Sequence, residues 1–214
     1  MPEPRFESLN VYDASGRVAG SEGREAAKRS GLALGAINLL LVNARGEVLL
    51  QRRAPDKENG DCWDKTVGGH VDAGEGFDQA AVRETGEELF DDARSPRVRL
   101  TTADDFAAAL AAADLRRELV FRPEALQLNL RDVRRAPDGT LRNVLYHVAS
   151  YLGRCDVPLD GFRPQADEIA GLRYAAAGEV DRMLLAGQLS PNMAYLWLSH
   201  ARALLSLPGV ATAR

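Results

Sequence analysis

Cysteine is almost absent from this chain. Cys62 and Cys155 are its two thiols in 214 residues, and their placement forms no metal or redox motif, so a disulfide framework is not expected. Long apolar runs are missing as well. Nothing approaches the roughly 20 consecutive apolar residues that a membrane crossing needs, and Met1 to Glu7 lacks the apolar core of a signal peptide. An excess of positive charge is also lacking. A net charge of −4 argues against the basic surface that binds nucleic acid. Internal repeats and low-complexity linkers do not occur. Together these absences point to a protein of the reducing cytoplasm, with no membrane and no stable nucleic-acid partner.

What is present fits an ordinary globular protein. Hydrophobic residues make up 45% of the chain and charged residues 27%, a balance typical of soluble domains. The length suits one domain with a sizeable core, or a domain with an appendage.

The most informative stretch runs from Gly69 to Glu88. Read as a loop feeding a helix from Phe77, it sets Glu84, Glu87 and Glu88 at i, i+3 and i+4, where helical side chains meet. Phe77, Ala80 and Ala81 fall on the same side, so the acidic cluster continues a partly apolar face. Three adjacent carboxylates repel. Either they spread into water or a cation sits among them, and a hard divalent ion such as Mg²⁺ takes such oxygen ligands.

Gly69, Glu75, Arg83, Glu84, Glu87 and Glu88 stand at the spacings of G-x5-E-x7-R-E-U-x-E-E-x-G-U, with U a bulky apolar residue. The stretch therefore resembles the signature of the Nudix hydrolases. Thr85 and Asp91 replace apolar residues, and Phe90 replaces the last glycine, so the helix is expected to run on toward Asp92. The resemblance implies that Glu84, Glu87 and Glu88, with a carbonyl at Gly68, hold Mg²⁺ or Mn²⁺. It also implies that Glu75 pairs with Arg83, and that a small-molecule diphosphate is hydrolysed.

The fold expected from this resemblance is α/β: a mixed β-sheet sandwiched between α-helices. Residues 33–207 would form the Nudix domain, 1–32 an N-terminal extension with a hairpin at Asp13 to Gly16, and 208–214 a loose tail. Ala36 to Val42 reads as a buried strand returning through Glu47 to Arg53. Arg52, Arg53 and Lys57 then cluster where they could meet substrate phosphates. Glu168, before a strand at Ala170 to Ala175, is the candidate extra carboxylate and shares the general-base assignment with Glu87 and Glu88. Further strands are expected at Val98 to Thr101 and Asn143 to Leu152, and helices at Asp104 to Leu115, Gly178 to Leu185 and Pro191 to Leu205. The Asp104 to Leu115 helix reads as structural filler, a cap over the pocket or a homodimer contact.

Two alternatives stay open. Trp63 to His70 resembles a loop of isopentenyl diphosphate isomerase, but Gly68 stands where that family carries a catalytic cysteine. Ala27 and Leu34 stand where two of its metal-binding histidines are expected. The third reading is a regulatory domain that binds a nucleotide without cleaving it.

Overall fold

The computed structural model describes residues 8–135 and 138–211. Its core strand, β3 (Ala33–Val42), follows a hairpin, β1 (Ser8–Tyr12) and β2 (Val18–Gly23), and a short helix, α1 (Arg24–Arg29). After β3 come β4 (Glu47–Arg53), β5 (Trp63–Asp64), β6 (Val67–His70) and helix α2 (Phe77–Phe90). The second half holds β7 (Val98–Leu100), α3 (Phe106–Ala112), β8 (Leu119–Arg135), β9 (Leu141–Cys155), β10 (Ile169–Ala176), α4 (Ala177–Leu185) and α5 (Pro191–Leu205).

All ten residues of β3 are buried, which is why the sequence there is a continuous apolar run rather than an alternation. The pleat sends Ile37, Leu39 and Leu41 to one side, against Ala80, Ala81 and Leu89 of α2. Leu40 and Val42 go to the other side, against Val180, Met193, Leu196 and Trp197 of α4 and α5. The sheet is thus sandwiched between helices. Each large aliphatic residue so enclosed contributes roughly 1.5–3 kcal/mol. Strand order is β10-β4-β3-β9-β8-β7, antiparallel except for β3–β9 and β7–β8, so the sheet is mixed.

The hairpin lies where the sequence puts it. Gly16 takes φ +83° while its N–H donates to the Asp13 carbonyl at 3.0 Å, and β1 pairs with β3 through Val11 and Leu34. His147, fully buried on β9, ties this turn down. Its Nδ1 accepts the Asn129 N–H at 2.9 Å and its Nε2 meets the Asp13 carbonyl at 2.8 Å. At the other end of the chain, the Ala211 N–H donates to the Ala44 carbonyl at 2.8 Å. Residues 1–7 and 212–214, parts of the expected extension and tail, lie outside the described residues.

Two expectations need correction. Helix α2 stops at Phe90 instead of running on to Asp92, because Asp91 adopts a left-handed conformation, φ 53° and ψ 35°. Its N–H closes onto the Glu87 carbonyl and that of Asp92 onto Gly86. Aspartate is among the few non-glycine residues that visit this region. Asp91→Gly should therefore raise stability by about 0.5–1 kcal/mol, read from urea unfolding midpoints; a loss would show that the aspartate side chain matters to the cap. Second, α3 is shorter than the alanine-rich pattern suggests, and it packs through Phe106 into the sheet. None of its residues lines the acidic cavity described below, which removes the cap reading. Strand β8, the longest among the described residues, is an element that was not expected.

Candidate active site

The site forms where α2 crosses β6. Gly69 pairs with Ile37 of β3 and Gly68 with Asn38. A Cβ on Gly69 would lie 2.0 Å from Glu84 Cδ, and one on Gly68 would lie 2.0 Å from Lys65 Cε. Glycine at both positions lets a carboxylate and an ammonium stem lie flat against bare strand backbone. Between them opens a polar cavity of about 150 Å³, lined among others by Gln51, Arg53, Lys65, Glu84, Glu88 and Glu168.

Its electrostatics are unbalanced. Burial pushes the Glu84 carboxyl up to about 7, against the opposing pull of Arg83. Glu88 is pushed well above the usual carboxylate range by burial and then by Glu84, with Lys65 and Arg53 acting the other way. Burial pushes Asp64 up, but Lys65 and Arg53, with the Ser190 hydroxyl donating at 2.7 Å, together hold it down at about 2. Glu84 and Glu88 thus face one polar cavity with their charged forms disfavoured by burial, although Arg24, Arg53 and Lys65 share its lining.

Arg83 faces away from this cavity and clamps the loop that leads into α2. Its Nε and Nη2 grip Glu75 at 3.0 and 2.9 Å, and Nη2 also reaches the His70 carbonyl at 3.0 Å. Nη1 lies 3.0 Å from both Glu84 Oε1 and Glu87 Oε2. The crowd of carboxylates raises its pKa even though burial opposes this.

Of the residues singled out by sequence, Gly68, Arg53, Glu84, Glu88 and Glu168 share the lining of this one cavity. Glu75, Arg83 and Glu87 do not line it, Glu87 being engaged by Arg83. Arg52 does not either. The strand pleat separates it from Gln51 and Arg53, and it pairs with Asp61 at 3.0 Å on the exposed side. Glu168 accepts from Lys57 Nζ at 2.6 Å. Sequence reasoning missed Lys65, Gln51 and Asn38, which strand pairing alone brings to the cavity wall. Among the described residues, no three His, Cys, Asp or Glu side chains converge as a metal-holding group. The donors at the cavity are Glu84 and Glu88, the backbone of the Gly68–Gly69 strand, and Glu168, whose carboxylate is engaged by Lys57. That set suits a hard cation that keeps waters or substrate oxygens among its ligands.

Of the histidine and thiol chemistry of the isomerase resemblance, His70 alone stands at the cavity among the described residues. His70 lines the cavity with Nε2 3.3 Å from the Tyr146 hydroxyl. Ala27 and Leu34 are buried in the apolar core. Cys62 lines a different pocket, and burial raises its thiol pKa.

Comparison with known proteins agrees with this geometry. The family model of the NUDIX domain matches residues 32–107. An isopentenyl-diphosphate Delta-isomerase of Halorhodospira halophila is 38% identical over 86 residues, covering 39% of this chain and 49% of that protein. An uncharacterized Nudix hydrolase of a Nostoc species is 35% identical over 86 residues, with coverage of 39% and 51%. The chain thus spans about half the length of the curated relatives it matches. The crystal structure of a Deinococcus radiodurans protein shares the fold, with a TM-score of 0.61 at 22% identity over 92% of this chain and 99% of that one. No helix among the described residues is long and apolar enough to cross a membrane.

Proposed function

We propose that this chain, whose residues 32–107 match the NUDIX domain model, hydrolyses a diphosphate linkage in a nucleoside diphosphate-linked or related small molecule, with Mg²⁺ as its working cation. The observation that carries this reading is the pair of buried carboxylates, Glu84 and Glu88, facing one polar cavity, both pushed above the usual carboxylate range by burial although Arg53 and Lys65 share the lining.

In this reading Glu84 and Glu88 hold the cation, with a carbonyl of Gly68 beside them. The cation, when bound, neutralises the diphosphate and makes a water more acidic. Arg53, on the cavity wall and 3.3 Å from Asp64, offers its remaining donors to a phosphate oxygen. Glu168 sits at the rim with its carboxylate oriented by Lys57 and accepts the proton of the attacking water. Glu87 is the second candidate for that proton, its Oε2 fixed by Arg83. Glu75 and Arg83 act through position: they fix the loop and the first turns of α2, and so the direction of Glu84.

An isomerase reading draws on the likeness to the Halorhodospira protein, but it would need a thiol at the position that Gly68 occupies. The test of the hydrolase reading is a panel of diphosphate compounds offered to purified protein with Mg²⁺ or with EDTA. Phosphate or monophosphate release that requires Mg²⁺ is the expected result. Saturable binding of a nucleotide without turnover would replace the hydrolase by a sensor.

A further inference from the structure

We propose that Arg24 is a substrate-binding residue that grips a phosphate oxygen, so that the N-terminal extension is a working wall of the site. The inference rests on the diphosphate reading above and adds to it a residue that lies outside the NUDIX match at residues 32–107.

The local sequence aims this side chain inward. Arg24, Ala27 and Lys28 stand at i, i+3 and i+4 on α1, and so share one face. Ala27 on that face is fully buried. Lys28 pairs with Glu58 at 3.3 Å, both side chains being largely buried. The Glu58 carbonyl in turn accepts Arg53 Nε at 2.6 Å. One residue thus holds both α1 and the guanidinium of Arg53. Arg24, half-buried, joins Arg53 in the lining of the acidic cavity.

The strand that opens the extension is tied to the site as well. Asn10 of β1 is buried, and its side chain makes two bonds to the loop that leads into α2. Its Nδ2 donates to the Glu75 carbonyl at 2.8 Å, and its Oδ1 accepts the Gly74 N–H at 3.0 Å. Backbone bonds flank it. The Asn10 N–H donates to the Val71 carbonyl at 3.1 Å, and the Ala73 N–H donates to the Ser8 carbonyl at 2.9 Å. A buried amide satisfied in this way is costly to displace. The extension therefore keeps a fixed position against the loop that carries Glu75, the partner of Arg83.

Charge gives Arg24 its role. Arg24, Arg53 and Lys65 line the cavity beside Glu84, Glu88 and Glu168. Arg53 and Lys65 are engaged by the buried Asp64 at 3.3 and 3.4 Å, and Lys57 takes Glu168. The cations that bear most on Glu84 and Glu88 are Arg83, Lys65 and Arg53. Holding those two carboxylates is thus the work of other groups, while Arg24 brings a further guanidinium to the same wall. A diphosphate carries more negative charge than one divalent cation offsets, and a guanidinium meets phosphate oxygens with two parallel N–H bonds.

Two readouts separate this from a structural role. One is isothermal titration calorimetry of uncleavable methylenediphosphonate in Mg²⁺. The other is the rise in melting temperature that Mg²⁺ alone produces. Arg24→Gln keeps much of the stem and removes the charge, whereas Arg24→Lys keeps the charge and loses the fork. Arg24→Gln is expected to weaken the probe by about tenfold or more, or about 1.4 kcal/mol, with Arg24→Lys between it and the parent. Both should keep the Mg²⁺ rise of the parent, while Glu88→Gln should lose that rise and the probe together. Parent-like affinity in Arg24→Gln overturns the assignment. So does loss of the Mg²⁺ rise along with the probe, which is the mark of a residue that only props the wall. Should Arg24→Gln not fold, Arg24→Lys decides by the same two readouts: a weakened probe with the Mg²⁺ rise kept supports the assignment, and parent-like affinity overturns it. If Glu88→Gln binds the probe like the parent, the diphosphate reading itself fails. A Glu88→Gln defect beside a parent-like Arg24→Gln strikes Arg24 alone.

Discussion

In EDTA at pH 8, Glu88→Gln protein should melt above the parent while having lost at least about 100-fold in Mg²⁺-dependent turnover. Glu88 is buried, and Gln51 Nε2 reaches its Oε2 at 3.3 Å. Glutamine keeps the shape and can keep that contact, yet it removes a charge that the fold holds at a cost, because burial and Glu84 both oppose ionisation. Glu84, beside it, shows the sign. Its folded pKa of about 7 exceeds the ordinary glutamate value of 4.5. A carboxyl with a raised folded pKa contributes stability below its unfolded pKa and loses that contribution as pH rises through the folded one. For Glu84 the difference is about 3 kcal/mol across that window, or roughly 6–12 °C in Tm for a chain of this size.

The advantage of Glu88→Gln over the parent should therefore shrink from pH 8 toward pH 5. Added Mg²⁺ should raise the melting temperature of the parent more than that of the variant, since ligand binding to the native state stabilises by mass action. Thermal melts at three pH values, with EDTA and with Mg²⁺, are sufficient. A variant that melts below the parent at pH 8 in EDTA would mean that Glu88 is held by compensating partners and is not a site awaiting a cation. Sites that bind cations routinely surrender stability in this way.

How much of this was legible in the sequence follows from which contacts are local. The spacing of Glu84 and Glu88 on one helix survives intact because helical neighbours are set by the chain itself. The buried run of β3 was legible because a strand covered on both faces cannot alternate. β8 was not. Pro123 and the left-handed Asn129 sit at two register shifts in its pairing with β9, and each shift resets the two-residue period. Leu126 and Leu128 are largely exposed, so even its apolar residues do not mark one inner face. Lys65 and Gln51 escaped notice for a different reason. They belong to the cavity only because β4 and β6 lie on either side of it, and a pairing between distant segments leaves no trace in spacing. Arg24 is more distant still, reaching the cavity from the extension that precedes β3. The end of α2 shows the converse error. Replacement of a signature glycine by Phe90 suggested a longer helix, but the left-handed residue simply moved one place along, to Asp91.

One residue before Glu84, the opposite outcome is expected: Arg83→Met should cost about 3–5 kcal/mol, the usual penalty for removing one partner from a buried charge network. The guanidinium spans Glu75, Glu84 and Glu87 with nitrogen–oxygen distances between 2.9 and 3.0 Å, has Asp72 at 3.6 Å, and donates to the His70 carbonyl. Without it these acids face one another, and a backbone acceptor at the end of β6 loses its donor, so the loss exceeds that of a surface ion pair. Arg83→Lys should recover only part of the stability. An ammonium restores one charge, but it cannot grip both oxygens of Glu75 while donating to Glu87 and to the His70 carbonyl. Urea unfolding of the two variants, with Mg²⁺ present and absent, separates the roles on this helix. Arg83 variants should lose stability under both conditions, because the clamp is independent of the cation. Should Arg83→Met unfold with the midpoint and slope of the parent, the four carboxylates would have to be already dispersed in water, and the argument that Arg83 fixes the direction of Glu84 would fall with them.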